Sequence, residues 1–493
     1  MTARTRRGGA TGPGGEATTM ALRIAQLSSE VVPFAKTGGL ADVLGALPPA
    51  LAALGHRVCV VTPAHRPSLR DPVPGKPAGE VAALGMRANV YRVEHRGVDV
   101  LLLDSPQLYA RPALYSLPDG DFPDNPIRFA FFARAALAAV AAWGGADVVH
   151  AHDWQAALAP LLLRSDDAVR RRLRRACSLL TIHNLAYQGA FPPWVLAACD
   201  LPPGLFTIEG LEFYGKVSFL KGGLVSADAI TTVSPTYARE ILTPEFGCGL
   251  EGVLAARSSV LSGIVNGLDL EIWDPATDAS LPAPFTAATV EAGKGAARAA
   301  LAAELGLDPA GAPLAGMVSR LAEQKGADVL AAALDEIVAL GYNLVVLGTG
   351  ERRYEETMAA AEQAHPGRIR VLLKFDERLA HLIYAASDVF LMPSRYEPCG
   401  LGQMIAMRYG SLPVVHRTGG LADTVTDAAD AEGTGFVHDE LTPAALVEAL
   451  ERARAAIADP EALAALRRRA MARDFSWDAS ARQYVELYRK LLA

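Results

Sequence analysis

The 493 residues suffice for two or three domains, each with its own apolar core. Hydrophobic residues make up 51% and charged residues 20%, the balance of a soluble globular protein, and a net charge of −7 speaks against a nucleic-acid partner. Five cysteines lie scattered with neither CxxC pairing nor zinc spacing, and no uninterrupted apolar run is long enough for a membrane helix, so a reduced, cytoplasmic protein with no membrane partner is expected.

Residues 1–19 carry Thr, Gly and Arg without the apolar stretch of a secretory signal. They read as a disordered tail, or as sequence ahead of a start at Met20. From 20 to 265, apolar runs at 23–27, 58–61, 98–103, 148–150, 179–182 and 229–233 predict strands. Ala/Leu-rich stretches at 39–54, 126–143 and 155–163 predict helices between them. This alternation implies a mostly parallel sheet covered by helices on both faces, with ligands at the carboxyl ends of the strands. The basic run Arg170-Arg171-Arg172-Leu173-Arg174-Arg175 reads as a solvated helix end. Across 266–311 Pro, Ala and Asp break the pattern, as expected of a crossing between domains. The rhythm resumes over 312–475, with strands at 314–318, 343–347, 369–373, 389–392 and 412–415 and a helix at 326–340. The last stretch, 476–493, is helical by pattern. Its stripe of Tyr484, Leu487, Tyr488 and Leu491 must dock on something, and the first domain is the expected partner.

One heptad recurs with six of its seven residues identical. Thr37-Gly38-Gly39-Leu40-Ala41-Asp42-Val43 returns near the other end as Thr418-Gly419-Gly420-Leu421-Ala422-Asp423-Thr424, preceded by Lys36 in one case and Arg417 in the other. A Gly-Gly turn after a strand lets main-chain N–H groups close on an anion, and a neighbouring cation adds charge. The pair therefore predicts two α/β domains facing one phosphate-bearing ligand.

Polar groups gather at other strand ends. In His152-Asp153-Trp154, Asp153 either caps a helix or works chemically, and Trp154 either packs or meets a ligand. His183-Asn184 closes the next strand, where a lone His is more often structural than functional. The segment Ser319-Arg320-Leu321-Ala322-Glu323-Gln324-Lys325-Gly326 puts Arg320 and Lys325 on a helix-opening loop. Two cations there can neutralise a diphosphate leaving group without a metal. In Ser394-Arg395-Tyr396-Glu397-Pro398-Cys399-Gly400-Leu401, Glu397 stands before a Gly turn that opens a helix near Gly402. A carboxylate at that place can bind sugar hydroxyls or stabilise an oxocarbenium-like centre. With no Asp-x-Asp or HExxH at a predicted strand end, no P-loop and no G-x-S-x-G elbow, neither a metal nor a bound cofactor is expected.

Taken together, from about residue 21 to 493, these segments resemble the bacterial glycogen synthase and plant starch synthase family. The resemblance is also carried by His183-Asn184-Leu185-Ala186-Tyr187-Gln188-Gly189, Val233-Ser234-Pro235-Thr236-Tyr237-Ala238, Asn266-Gly267 and Asp474-Phe475-Ser476-Trp477. It implies a GT-B fold, α/β, with two Rossmann-like domains whose parallel sheets face an interdomain cleft. It implies transfer of glucose from ADP-glucose, a donor substrate rather than a cofactor, to the non-reducing 4-hydroxyl of an α-1,4-glucan such as glycogen, with retention. By resemblance Lys36, Gly38 and Gly39 contact the donor phosphates, and Arg320 and Lys325 hold the diphosphate. His183 bonds the transferred glucose, Asp153 contacts glucose or acceptor hydroxyls, and Asn266, Glu397, Cys399, Gly400 and Leu401 contact the glucose. Trp154 and Tyr109 lie beside the acceptor. Retention with no nucleophile on the far face implies front-face attack, the departing phosphate taking the acceptor's proton.

Some positions depart from the family pattern: Gln155 where His is common, Gly402 where Asn or Thr is usual, and Ala110 where Asp follows Leu-Tyr. Ile405 replaces the second Glu of related retaining transferases, as the synthase branch does. These departures bear on acceptor preference and donor affinity. The competing readings are a GT-B transferase with a UDP-sugar donor or another acceptor, and a catalytically silent glucan-binding protein. A third, an NAD-linked dehydrogenase, lacks a G-x-G-x-x-G after the first strand.

Overall fold

The computed structural model describes residues 20–66, 73–117, 120–308 and 311–493, so the tail expected at 1–19 lies outside the described residues. Two sheets organise two lobes. The first has nine strands in the order Leu261–Gly263, Ala229–Thr232, Cys177–Ile182, Val148–His152, Arg23–Leu27, Arg57–Pro63, Val98–Asp104, Met86–His95 and Lys76–Ala83. Its first seven strands run parallel. Strands such as Arg57–Pro63 are buried at every position but the first, the mark of a parallel sheet covered on both faces.

The last two strands form an antiparallel hairpin added to Val98–Asp104, which the sequence reading missed. Exposed polar residues alternate with buried ones along Met86–His95, so no continuous apolar run marks the hairpin. The second sheet has six parallel strands in the order Ile369–Leu372, Asn343–Leu347, Leu314–Val318, Val389–Met392, Leu412–His416 and Phe436–His438.

Helix Asn125–Trp143 has the length, at 19 residues, and the mean hydropathy of a membrane span, though Arg128 and Arg134 interrupt its apolar run. It lies in the first lobe's core, where Phe129, Phe131 and Phe132 are fully buried. Its Arg128 is fully buried too, with the guanidinium donating to the carbonyls of Leu108 and Leu114 and to Asn125 Oδ1.

The stretch expected as a crossing contains a helix, Val290–Leu305, whose Ala297 and Leu301 join the second lobe's core with Leu314 and Ile383. Gly293, Gly295 and a run of Ala blur the apolar periodicity that would have revealed it. Gly293 seats the helix on Phe285, whose ring atoms would lie 2.3 Å from an added Cβ.

Two chain segments cross between the lobes, side by side. Leu268 N–H donates to Phe475 O at 2.6 Å, and an added Cβ on Gly267 would fall 2.6 Å from Trp477 N. The returning segment starts helix Trp477–Leu492. Its Trp477, Tyr484, Val485 and Tyr488 pack with Ile24, Val43, Leu44 and Leu47 of the first lobe.

Candidate active site

Strand order places the site. In the first sheet Arg23–Leu27 lies between Val148–His152 and Arg57–Pro63; in the second, Leu314–Val318 lies between Asn343–Leu347 and Val389–Met392. Loops leaving such neighbours diverge and open a crevice beyond the strands' carboxyl ends. Glu30, His152 and Asp153 stand there on the first lobe. Arg320, Lys325 and the loop 393–401 stand there on the second.

On the second lobe, Lys325 Nζ lies 2.5 Å from Glu397 Oε2, which also accepts from Ser394 Oγ at 3.2 Å. Arg320 and Tyr384 join them in lining a cavity of about 170 Å³, with Gly400 and Leu401 at its edge. Gly400 has φ +73°, and a Cβ there would lie 2.4 Å from the Gln403 amide, so glycine is required. Gln403 Nε2 donates to Cys399 O, Gly400 O and Thr424 Oγ1, which fixes the loop. Burial pushes the Cys399 thiol up to about 12, so it stays protonated and is no nucleophile. Asn266 is buried, and its Oδ1 has no partner among the described residues. A ligand hydroxyl would satisfy it. A Cβ on Gly402 would stand 3.2 Å from Met392 Sδ and 3.3 Å from Tyr384 Oη, so the family's larger side chain would crowd this wall.

On the first lobe, Asp153 holds φ +54°, a conformation Asp tolerates better than most residues. Its Oδ1 accepts the His183 backbone N–H at 2.7 Å, and burial raises its carboxyl to about 7. His183 Nε2 lies 2.9 Å from His152 Nδ1. Burial lowers the His183 imidazole to about 3, which keeps it neutral at pH 7.

The two aromatic residues expected beside the acceptor are placed differently. Tyr109 is fully buried, ends the short helix Pro106–Tyr109, and donates its hydroxyl to Arg128 O at 3.2 Å; it has no surface left for a glucan. Trp154 packs between Phe129 and Phe191, with ring centroids 4.9 and 5.7 Å away, in the first lobe's core. Gly189 permits this, because a Cβ there would lie 2.4 Å from the indole.

The two copies of the heptad part company. Gly38 and Gly39 open helix Gly39–Ala53 toward solvent, and a Cβ on either meets nothing within 4 Å. The Gly39 N–H has no partner among the described residues, as an anion site requires. The neighbouring Thr37 and Gly38 N–H groups are already taken by buried Glu30, whose carboxylate also accepts from Thr37 Oγ1 and Tyr115 Oη. Gly419 and Gly420, by contrast, are buried against the Glu397 loop: added Cβ atoms would lie 2.0 Å from Glu397 O and 1.9 Å from Cys399 O. Both N–H groups of that turn are taken, by Glu240 Oε1 and by Glu397 O, and the turn props the loop 393–401.

Here the lobes also cap each other. Glu240 Oε1 accepts from Thr418 Oγ1 and Gly419 N–H across the cleft, and Asp423 accepts from Thr236 N–H and Oγ1 in return. Ser234 Oγ adds a bond to Pro398 O at 2.6 Å. Glu30, Glu240 and Asp423 escaped the sequence reading. The only cue was the Asp shared by both heptads, and its two copies do different things: Asp42 pairs with Lys36 at 2.7 Å.

The lobes also approach each other near Asp42 and near Tyr396. Asp42 feels the charge of Glu377, at the start of the second-lobe helix whose Tyr384 lines the cavity of Arg320. Tyr396 stands near both Arg320 and the Asn184 side chain of the first lobe.

Comparison with known proteins agrees with this architecture. Residues 23–256 match the starch synthase catalytic domain and residues 306–473 match glycosyl transferases group 1. The glycogen synthase of Anaeromyxobacter dehalogenans (strain 2CP-C) is 50% identical over 95% of this chain and 100% of its own. That of Syntrophotalea carbinolica is 46% identical over 95% and 99%. The chain belongs to the glycogen synthase family. Among solved structures, the catalytic domain of starch synthase IV from Arabidopsis thaliana, bound to ADP and acarbose, is 34% identical, with a TM-score of 0.86 over 96% of this chain and 100% of that one. Sucrose-phosphate synthase from Thermosynechococcus elongatus, 23% identical with a TM-score of 0.60, shares the fold. The two lobes make the GT-B fold, and this member of the family is a hexosyltransferase. The dehydrogenase reading falls away.

Proposed function

We propose that this protein transfers glucose from ADP-glucose to the non-reducing 4-hydroxyl of an α-1,4-glucan, with retention, in the cytoplasm. The observation that carries this is the placement of Arg320 and Lys325 around buried Glu397 in one cavity, across the cleft from neutral His183 and Asp153. The bond from the sugar's C1 to the phosphate oxygen breaks, and the bond from C1 to the acceptor O4 forms. The departing phosphate takes the acceptor's proton on the same face. Negative charge grows on the diphosphate, so Arg320, Lys325 and Lys36 bind the transition state more tightly than the ground state. Gly39 N–H and the start of its helix add a dipole directed at the same phosphates. Glu397 and Asn266 Oδ1 receive glucose hydroxyls. Five free cysteines accord with a reducing compartment.

The test is a donor panel with glycogen as acceptor, measuring released nucleotide and the linkage of the product. Incorporation from ADP-glucose into α-1,4 linkages is expected. Equal or better use of UDP-glucose would refute the donor assignment, and a trapped glycosyl–Glu397 adduct would refute front-face attack.

A further inference from the structure

We infer that Gln26, His152 and Tyr488 are positioning residues that hold His183 as its Nε2–H tautomer, so that Nδ1 meets the donor sugar as a hydrogen-bond acceptor. The inference rests on the proposed glucosyl transfer only for its kinetic arm.

Strand register builds the row. Gln26 stands opposite His150 on the adjoining parallel strand, and His152 lies two residues further along the same face, opposite Thr181 on the next strand. Gln26, His150, His152, Thr181 and Tyr488 are all fully buried. Such groups must satisfy one another, and they do. Tyr488 Oη lies 2.8 Å from His150 Nδ1 and accepts from Gln26 Nε2 at 3.3 Å; His150 Nε2 reaches Thr181 Oγ1 at 2.6 Å. Gln26 Oε1 lies 2.5 Å from His152 Nε2.

An amide oxygen can only accept, so His152 carries its proton on Nε2. A neutral imidazole has one N–H, so His152 Nδ1 accepts, and His183 Nε2 must donate across the 2.9 Å contact. Burial holds the His150, His152 and His183 rings far below their usual range, which keeps the row neutral. The orientation of one amide therefore sets the direction of every proton between the sheet and the cleft. If Gln26 were reversed, its NH2 would donate to His152 and His183 would offer Nδ1–H instead. Tyr488 supplies the acceptor for that NH2 from the C-terminal helix, which thereby orients a residue of the first lobe on which it docks.

Long-range ¹H–¹⁵N spectra of histidine-labelled full-length protein, assigned by replacing His183 and His152 singly, report the tautomer without turnover. A protonated Nε2 and bare Nδ1 at His183 are expected, and a protonated Nδ1 would overturn the inference. Tyr488→Phe keeps the ring and removes the hydroxyl; Gln26→Met removes both amide ends at similar volume. Both should give mixed His183 tautomers and a kcat lower by about tenfold, the loss of one hydrogen bond to the sugar, with KM for glucan unchanged. A wild-type His183 signature in both variants would overturn the positioning role, whatever their melting temperatures. If the donor were a different sugar nucleotide, the tautomer result would still stand.

Discussion

Replacing Gly39 and Gly420 by alanine, one at a time, sets the two heptads against each other at equivalent positions. A Cβ on Gly420 would lie 1.9 Å from Cys399 O and 2.5 Å from Cys399 C, so backbone must retreat by about 1 Å to reach even the tightest contacts proteins tolerate. Overpacking costs about 1–3 kcal/mol, and a clash with main chain on a loop pinned by Gln403 belongs at the upper end. For a lobe of this size about 3 kcal/mol lowers the melting temperature by roughly 6–12 °C. Glu397 and Cys399 would move with the loop, and a displacement of about 1 Å at reacting groups costs on the order of 10²-fold in kcat. Gly39→Ala meets nothing within 4 Å, so its stability should stay within about 0.5 kcal/mol of wild type. Its methyl narrows the approach to the helix start and should raise KM for the donor. Thermal melts and nucleotide-release kinetics on both variants measure this. Equal stability losses, or a Gly420→Ala protein indistinguishable from wild type, would refute the division of roles between the turns.

Burial raises the folded Asp153 carboxyl from 3.8 to about 7, so its ionisation costs the folded protein nothing below pH 4, increasingly more up to 7, and a constant amount above. Asp153→Asn removes that cost and tolerates the left-handed backbone; its stability relative to wild type should rise between pH 4 and 7 by at most about 4 kcal/mol. A pH-independent difference in urea midpoints would count against it. Lys325→Met leaves the Glu397 carboxylate buried with only the Ser394 hydroxyl, and kcat/KM should fall on the order of 10²–10³-fold. Full activity in that variant would exclude Lys325 from the diphosphate site. Glu240→Gln keeps one acceptor but weakens a charge-assisted pair of bonds, and urea unfolding should register a loss of about 1 kcal/mol. No loss would make the capping incidental.

Strands buried on both faces were legible because each is a short, unbroken apolar run: 314–318, 343–347 and 389–392 coincide with the observed strands. Loops bearing Arg320, Lys325 and Glu397 were legible because a parallel sheet puts the end of a strand in the cleft. What stayed hidden depends on pairing across distance. Helix Val290–Leu305 dilutes its periodicity with Gly and Ala, and the edge hairpin carries only alternation. Expected helices at 155–163 and 326–340 are each broken into two. Composition could not tell that Tyr109 turns inward to Arg128, or that one heptad greets solvent while its twin is wedged under a loop. Local sequence sets the turn, and the neighbour that arrives from elsewhere in the chain sets its use.

The exchange of caps between the lobes limits how such enzymes can be recombined. Glu240 finishes a helix start that belongs to the other half, and Asp423 does the same in reverse, at the turn that braces the loop carrying Glu397. A chimera joining one half to a foreign partner would need to carry both acids and both threonines as a matched set. Without them the graft would lose the underpinning of Glu397, although no group in the set need touch a ligand.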